Sequence, residues 1–417
     1  MTERVKGAFH RNDDINVRRK DRKVRFNMSA YFLFSFIGFG AFFPLLSLHL
    51  EESGLSGSQI GTIVSIGPVV AIIAQPMWGM ISDRFQNPRL ILTICALLTG
   101  GIGLGFLLAD IAQVGMFFFF ACLAAFLSVF HSAMVPLSDS IVLNYVKKKG
   151  GDYGFIRLWG AVGYALAVWL AGLLIEATFT AIIFYIFAAA LFVSALFVRK
   201  MPTEADVPRA DIRNGLKELF RIPPYVMFLA STFLVFGTIN ANNFYFGLYY
   251  TAIGGTVAGV GLVFLVAAGS EAPFMLFARK VMNRLGIYQV LMICGLLSSL
   301  RWILFYFEPN PGLILALSII QGLAIGFYIP AAVQLVRELS PDDVKVTGMT
   351  IYASFGNGLG TMACTFVGGY VIDAFSITTM YGFFGIASLI GVGLAGISML
   401  LFRRRSNETL TIAGRSK

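Results

Sequence analysis

The sequence predicts an all-α membrane protein, with twelve transmembrane helices in two pseudo-symmetric six-helix halves and both termini in the cytoplasm. Three observations predict it. Of the 417 residues, 57% are hydrophobic and only 13% charged, with 40 Phe and 44 Gly, a composition unlike that of soluble domains. Apolar runs of about 20 residues, long enough to span a bilayer, fall near 27–50, 58–81, 90–109, 113–145, 153–176, 179–199, 224–250, 256–278, 286–307, 312–337, 348–373 and 377–402. Finally, the chain repeats at an offset of 197, which pairs Pro76 with Pro273, Gly163 with Gly360, Gly172 with Gly369 and Glu176 with Asp373.

Charge sets the expected orientation. The net charge of +10 could suggest a nucleic-acid partner, but its placement excludes one. Lys and Arg cluster in the N-terminal tail, in the 200–222 loop, in the C-terminal tail and at every second connection. The connections 51–57, 110–112, 177–178, 251–255, 308–311 and 374–376 contain neither. The positive-inside rule then puts the basic side in the cytoplasm. The expected layout is a cytoplasmic tail over 1–26, a first half over 27–199, a cytoplasmic loop over 200–222, a second half over 223–402 and a tail over 403–417, in a monomeric plasma-membrane protein. The first span, with a charged tail before it and no small-residue cleavage site, is expected to be its own insertion signal. Residues 1–25 read as a disordered tail that contacts lipid, and 214–221 as a short amphipathic helix on the inner surface.

Taken in order, the first span contains Gly38, Gly40 and Pro44, which suit close packing and a bend. The second ends in G-x-x-x-D-R, at Gly79, Asp83 and Arg84, where a gate between helices is expected. Gln86–Asn87–Pro88–Arg89 follow. This pattern resembles the signature loop of the major facilitator superfamily, although a second glycine and the paired basic residues are only partly kept.

The fourth and fifth spans carry Asp139 and Arg157, each nine residues from Lys148. If the lysines mark a hairpin apex at the membrane surface, both charges lie roughly 13 Å deep on neighbouring helices and can pair. Such a pair either fixes helix register or binds solute. Tyr164 shares a face with Arg157, so it either packs or stacks on a ligand ring. His131, two turns before Asp139, either lines the cavity or packs. His10 and His49 are assigned nothing. In the second half, Asn240 and Asn243 make an uncharged polar face on the seventh span. Glu271 on the eighth can carry a proton, with Arg301 on the ninth as its partner. Cys95, Cys122, Cys294 and Cys364 read as apolar fillers without metal spacing.

The motifs G-A-F-F-P, Q-P-x-x-G-x-x-S-D-R, P-x-x-D and G-x-x-R-x-x-G-x-x-G-Y together resemble the lactose permease group and its phenylpropionate and nucleoside relatives. That resemblance implies that Asp139 and Arg157 hold solute hydroxyls, that Tyr164 replaces a stacking tryptophan, and that Glu271 and Arg301 couple protons. The charged residues of that group in the seventh, tenth and eleventh spans are missing here.

The function expected is proton-coupled uptake of a small polar solute, a sugar or glycoside before an aromatic acid or nucleoside, with efflux or uniport behind. Its expected partners are the solute and the lipid bilayer, with protons as coupling ion and no other cofactor. No phosphate-binding G-x-x-x-x-G-K-[ST] motif indicates ATP-driven transport. No H-E-x-x-H or G-x-S-x-G motif indicates an intramembrane enzyme, and no repeated polar filter indicates a channel.

Overall fold

A computed structural model of the chain describes residues 2–111, 115–203 and 217–415, with side chains for 21–108 except Asp83, for 115–203, and for 217–404 except Asp342, Val346 and Asn357. The described residues form helices without strands: α1 (Thr2–Phe42), α2 (Leu46–Glu52), α3 (Gly57–Phe85), α4 (Pro88–Gly105), a 3-10 turn (Phe106–Ile111), α5 (Met116–Lys149), α6 (Tyr153–Ala177), α7 (Ile182–Val198), α8 (Pro223–Ala252), α9 (Val257–Leu285), α10 (Ile287–Tyr306), α11 (Pro311–Leu339), α12 (Lys345–Ala353), α13 (Thr361–Ala374) and α14 (Ile377–Arg415). Ten helices are long and apolar enough to cross a membrane, the first counted across α1 and α2, and α7 is a shorter apolar one.

Three departures from the expected elements have local causes. The chain around Asp21–Arg25, expected to be a disordered tail, continues α1, because the Tyr145 hydroxyl donates to Asp21 Oδ1 at 3.0 Å and Arg25 Nη2 donates to the Gly150 carbonyl at 3.1 Å. The first span breaks at Pro44, which has no N–H to continue the ladder, and restarts as α2. The eleventh span is also interrupted: between α12 and α13, Ser354–Gly360 forms a π-helical stretch containing three glycines. Of the amphipathic helix expected over 214–221, residues 214–216 lie outside the described residues, and 217–221 form a helical turn at 217–219, which buries Leu219, followed by a turn.

The turn after the second span is tight despite the missing glycine. Gln86 adopts a left-handed conformation with φ 47° and closes α3, its N–H donating to the Ser82 carbonyl. Asn87 then caps α4 by accepting from the Leu90 N–H, and Pro88 takes the first helical turn, where a missing N–H costs nothing.

The repeat at 197 is a repeat of helix crossings. Helices α1 and α6 touch through backbone, because a Cβ on Gly163 would overlap the Leu33 carbonyl and one on Gly40 the Tyr164 carbonyl. The same offset moves Gly40 to Gly237 and Gly163 to Gly360. There α8 meets the end of the π stretch in the same way, Gly360 pressing on the Phe233 carbonyl and Gly237 on Gly360. With little hydrophobic driving force between helices in lipid, such close crossings provide the dispersion contact that holds a bundle together. Tyrosine hydroxyls add polar ties across helices: Tyr31 donates to the Met134 carbonyl, Tyr225 to that of Gly348 and Tyr249 to that of Phe305.

Candidate functional site: a central cavity between the halves

Between the N-terminal helices (α1–α7) and the C-terminal helices (α8–α14) lies a cavity of about 410 Å³. Its apolar lining comes from Phe42, Phe43 and Leu46 of the first span and Phe244 of α8, and its polar lining from Asn240 and Asn243 of α8, Gln75 of α3, His131 of α5 and Tyr164 of α6. Phe43 and Leu46 occupy the positions that the 197 offset maps onto Asn240 and Asn243. At these equivalent positions the two halves present opposite chemistry to the same space. No Asp, Glu, Lys or Arg is among the lining residues.

A second cavity, about 440 Å³, runs on towards the basic end. It shares Pro68, Ala71 and Gln75 with the first and continues past Met349, Thr350, Ala353 and Ser354 of α12 and the π stretch. Together they make a path from the molecular centre to the basic end.

The opposite end, free of Lys and Arg, is shut. Helix α3 crosses α13 where Gly61 meets Gly369, and α9 crosses α6 where Gly261 meets the backbone of Val168 and Trp169. Each crossing has a carboxylate over a helix N-terminus. Asp373 accepts the Gly57 and Ser58 N–H groups at 2.6 and 2.9 Å, and Glu176 accepts the Ala258 N–H at 2.9 Å. The first N–H groups of a helix have no intrahelical partner and carry its positive dipole end. A carboxylate there satisfies both demands across two helix groups. Glu176 and Asp373 were visible as a repeated pair in the sequence. What they hold was not, since their partners are backbone atoms of distant helices.

Asp139 and Arg157 do pair, Arg157 Nε lying 3.5 Å from Asp139 Oδ1 with both side chains about a quarter exposed. Gly160 leaves room for the guanidinium, which lies over Phe36 at 4.2 Å and Phe32 at 5.0 Å; such ring faces stabilise a desolvated cation. Tyr153, one turn before Arg157, lies beside Asp139. Sequence reasoning missed it, although its four-residue spacing from Arg157 puts the two on one helix face. Neither charge lines the 410 Å³ cavity, whereas Tyr164, Asn240 and Asn243 do. The expected substrate set is thus divided between a neutral cavity and an adjacent ion pair.

The expected Glu271–Arg301 pair does not form among the described residues. Arg301 is buried, donates to Gln321 Oε1 and stacks over Trp302 at 4.0 Å and Phe305 at 5.4 Å. No spacing signalled that a neutral amide on α11 would take the place of the carboxylate. Glu271, half-buried on α9, has no hydrogen bond or ion pair with any described residue. Its backbone is packed tightly against α11 at Gly322 and Gly326. Of the expected gating residues, Gly79 is half-buried and Arg84 exposed at the basic end of α3, next to Trp78, whose Nε1 donates to the Val129 carbonyl at 2.7 Å. The side chain of Asp83 lies outside the described ones.

This architecture has known counterparts. A model described as the MFS_1 like family matches residues 25–383. The maltose permease of Geobacillus stearothermophilus is 41% identical over 377 residues, covering 90% of this chain and 93% of that protein. Uncharacterized transporter YwbF of Bacillus subtilis (strain 168) is 39% identical over 383 residues, covering 91% and 94%. Among solved structures, the nucleoside transporter NupG superposes with a TM-score of 0.79 at 19% identity, covering 91% of this chain and 99% of that one, a likeness of fold alone. The chain is a multi-pass secondary transporter of the cell membrane rather than an enzyme, and it belongs to the MFS_1 like family of the major facilitator superfamily.

Proposed function

We propose that the protein takes up a neutral sugar or glycoside with protons, by alternating access of two six-helix halves around the central cavity. The observation that carries this reading is the lining. A pyranose has an apolar face and an edge of hydroxyls, which suit a lining that combines Phe42, Phe43 and Phe244 with Asn240 and Asn243. A carboxylate such as phenylpropionate would meet no cation on this lining. The kinship with a maltose permease supports the same class.

With the basic side assigned to the cytoplasm, the state described is closed outside by the Asp373 and Glu176 contacts and open inside along α3 and α12. Uptake then requires those carboxylates to leave the helix N-termini so that solute can enter, and to return before release. Glu271 is the proton carrier in this scheme, being an intramembrane carboxyl without a fixed counter-charge, and intramembrane carboxyls of this kind form proton relays in transporters. The decisive experiment is uptake by proteoliposomes of labelled maltose, uridine and 3-phenylpropionate, with and without an inward proton gradient. Saturable maltose accumulation driven by the gradient supports the proposal. Accumulation of uridine or phenylpropionate instead, with maltose excluded, overturns its substrate class.

A further inference from the structure

We infer that His131 determines substrate specificity: its imidazole reads a hydroxyl of the bound sugar from the N-terminal half while Asn240 and Asn243 hold the other edge from the C-terminal half. The inference rests on the proposed sugar function and adds a named reader to it. His131 lines the cavity on the same face of α5 as Ser128, Ser132 and Val135. Its ring is clamped between Phe39, centroids 4.6 Å apart and nearly perpendicular, and Phe43 at 4.7 Å. Two aromatic contacts fix the plane of the imidazole but use none of its hydrogen-bonding capacity. Its ring nitrogens make no hydrogen bond to any described residue.

The hydroxyls beside it on α5 do not share this property. The hydroxyls of Ser128 and Ser132 are turned back on their own helix, donating to the Ala124 and Val129 carbonyls at 2.6 and 2.9 Å. The 197 offset maps His131 onto Tyr328, which is buried, stacked on Phe236 and placed 3.4 Å from the Thr232 hydroxyl. In that half the equivalent ring is consumed by packing, and in this half it faces the cavity. A polar ring held rigid with its nitrogens unused favours a ligand that supplies the missing partner, because an unmade hydrogen bond in a desolvated site is costly. Rigid positioning also limits the entropy lost on binding. A sugar hydroxyl suits a neutral imidazole, since both donate and accept.

The test uses the purified full chain and maltose as probe, with titration calorimetry on the wild type, His131→Phe and His131→Gln. Phe keeps the aromatic clamp and removes both nitrogens, whereas Gln restores a donor and an acceptor. The expected result is that His131→Phe weakens maltose binding about 10-fold or more while His131→Gln stays within about 3-fold. The unliganded thermal midpoints of both should match the wild type. A series of monodeoxy maltose analogues provides the readout that packing alone would not move. One analogue should bind the wild type about 10-fold more weakly than maltose, yet bind His131→Phe as well as maltose does. Maltose binding to His131→Phe within 2-fold of wild type, or an unchanged analogue profile, overturns the inference. If the wild type binds uridine rather than maltose, the sugar reading falls separately. The same two variants then decide His131 with uridine and its deoxy analogues.

Discussion

Neutralising the two carboxylates at the closed end should open the transporter outward. In Asp373→Asn the side chain keeps one acceptor for the Gly57 and Ser58 N–H groups, now 2.6 and 2.9 Å from carboxylate oxygens, but loses the charge facing the α3 N-terminus. A hydrogen bond to a charged acceptor contributes about 1.5–3 kcal/mol when buried. Both carboxylates are exposed, and solvent screening reduces the loss to about 1 kcal/mol each. That shifts the closed-to-open ratio roughly 5-fold for one variant. Glu176→Gln removes a single such contact at the pseudo-equivalent crossing. Because both act on one equilibrium through separate helix pairs, the double variant should shift it roughly 30-fold. The assay is alkylation from outside of Ala71→Cys, a cavity position, in a chain whose Cys95, Cys122, Cys294 and Cys364 are replaced by Ala. The labelling rate should rise about 5-fold in each single variant and about 30-fold in the double. Rates that stay level, or a double variant no faster than the singles, would refute the carboxylates as what keeps that end shut.

Three further outcomes are expected. Arg157→Gln should lower the thermal midpoint, by roughly 1–3 kcal/mol of stability, because it strands the Asp139 carboxylate in a half-buried site; adding Asp139→Asn should recover most of the loss, and a double variant as unstable as the single would contradict this. Glu271→Gln should abolish net uphill uptake in vesicles while exchange of labelled for unlabelled solute survives, since the amide mimics a protonated carboxyl that never releases its proton; uphill uptake by that variant would move coupling elsewhere. Gln86→Gly should leave stability equal or raise it by up to about 1 kcal/mol, as glycine relieves the left-handed strain at φ 47°, whereas Gln86→Val should lower it; melting curves of the two variants decide the sign.

Much of this molecule was legible in its sequence because a membrane restricts the choices. Spans could be read from apolar length. The Asp139–Arg157 pair followed from equal spacing about Lys148, as an intramembrane charge needs a partner at its own depth. Other features depended on tertiary detail that no spacing encodes. Arg301 was expected to seek Glu271, but Gln321 on another helix supplies the contact together with the Trp302 and Phe305 rings. The tight turn at Gln86 was obscured because a non-glycine residue occupies a position glycine usually fills. The division of charged and neutral groups between the ion pair and the cavity could not be seen either, since Asp139 and His131 share one helix and differ by two turns.

The π-helical stretch at Ser354–Gly360 sets one half of the molecule apart from the other. Its counterpart under the 197 offset is 157–163, where α6 runs as a regular helix. The 197-residue repeat relates two halves of like orientation about an axis along the membrane normal, so identical repeats would make the halves alike without exchanging the inner and outer ends. A stretch with i→i+5 bonding in one repeat alone makes the halves differ at the crossing that Gly237 and Gly360 form. Ser354 lies on the path to the basic end, where the other repeat has Arg157. The difference between the halves is therefore carried by a few residues of one helix, beside the path to the basic end rather than in the lining of the central cavity.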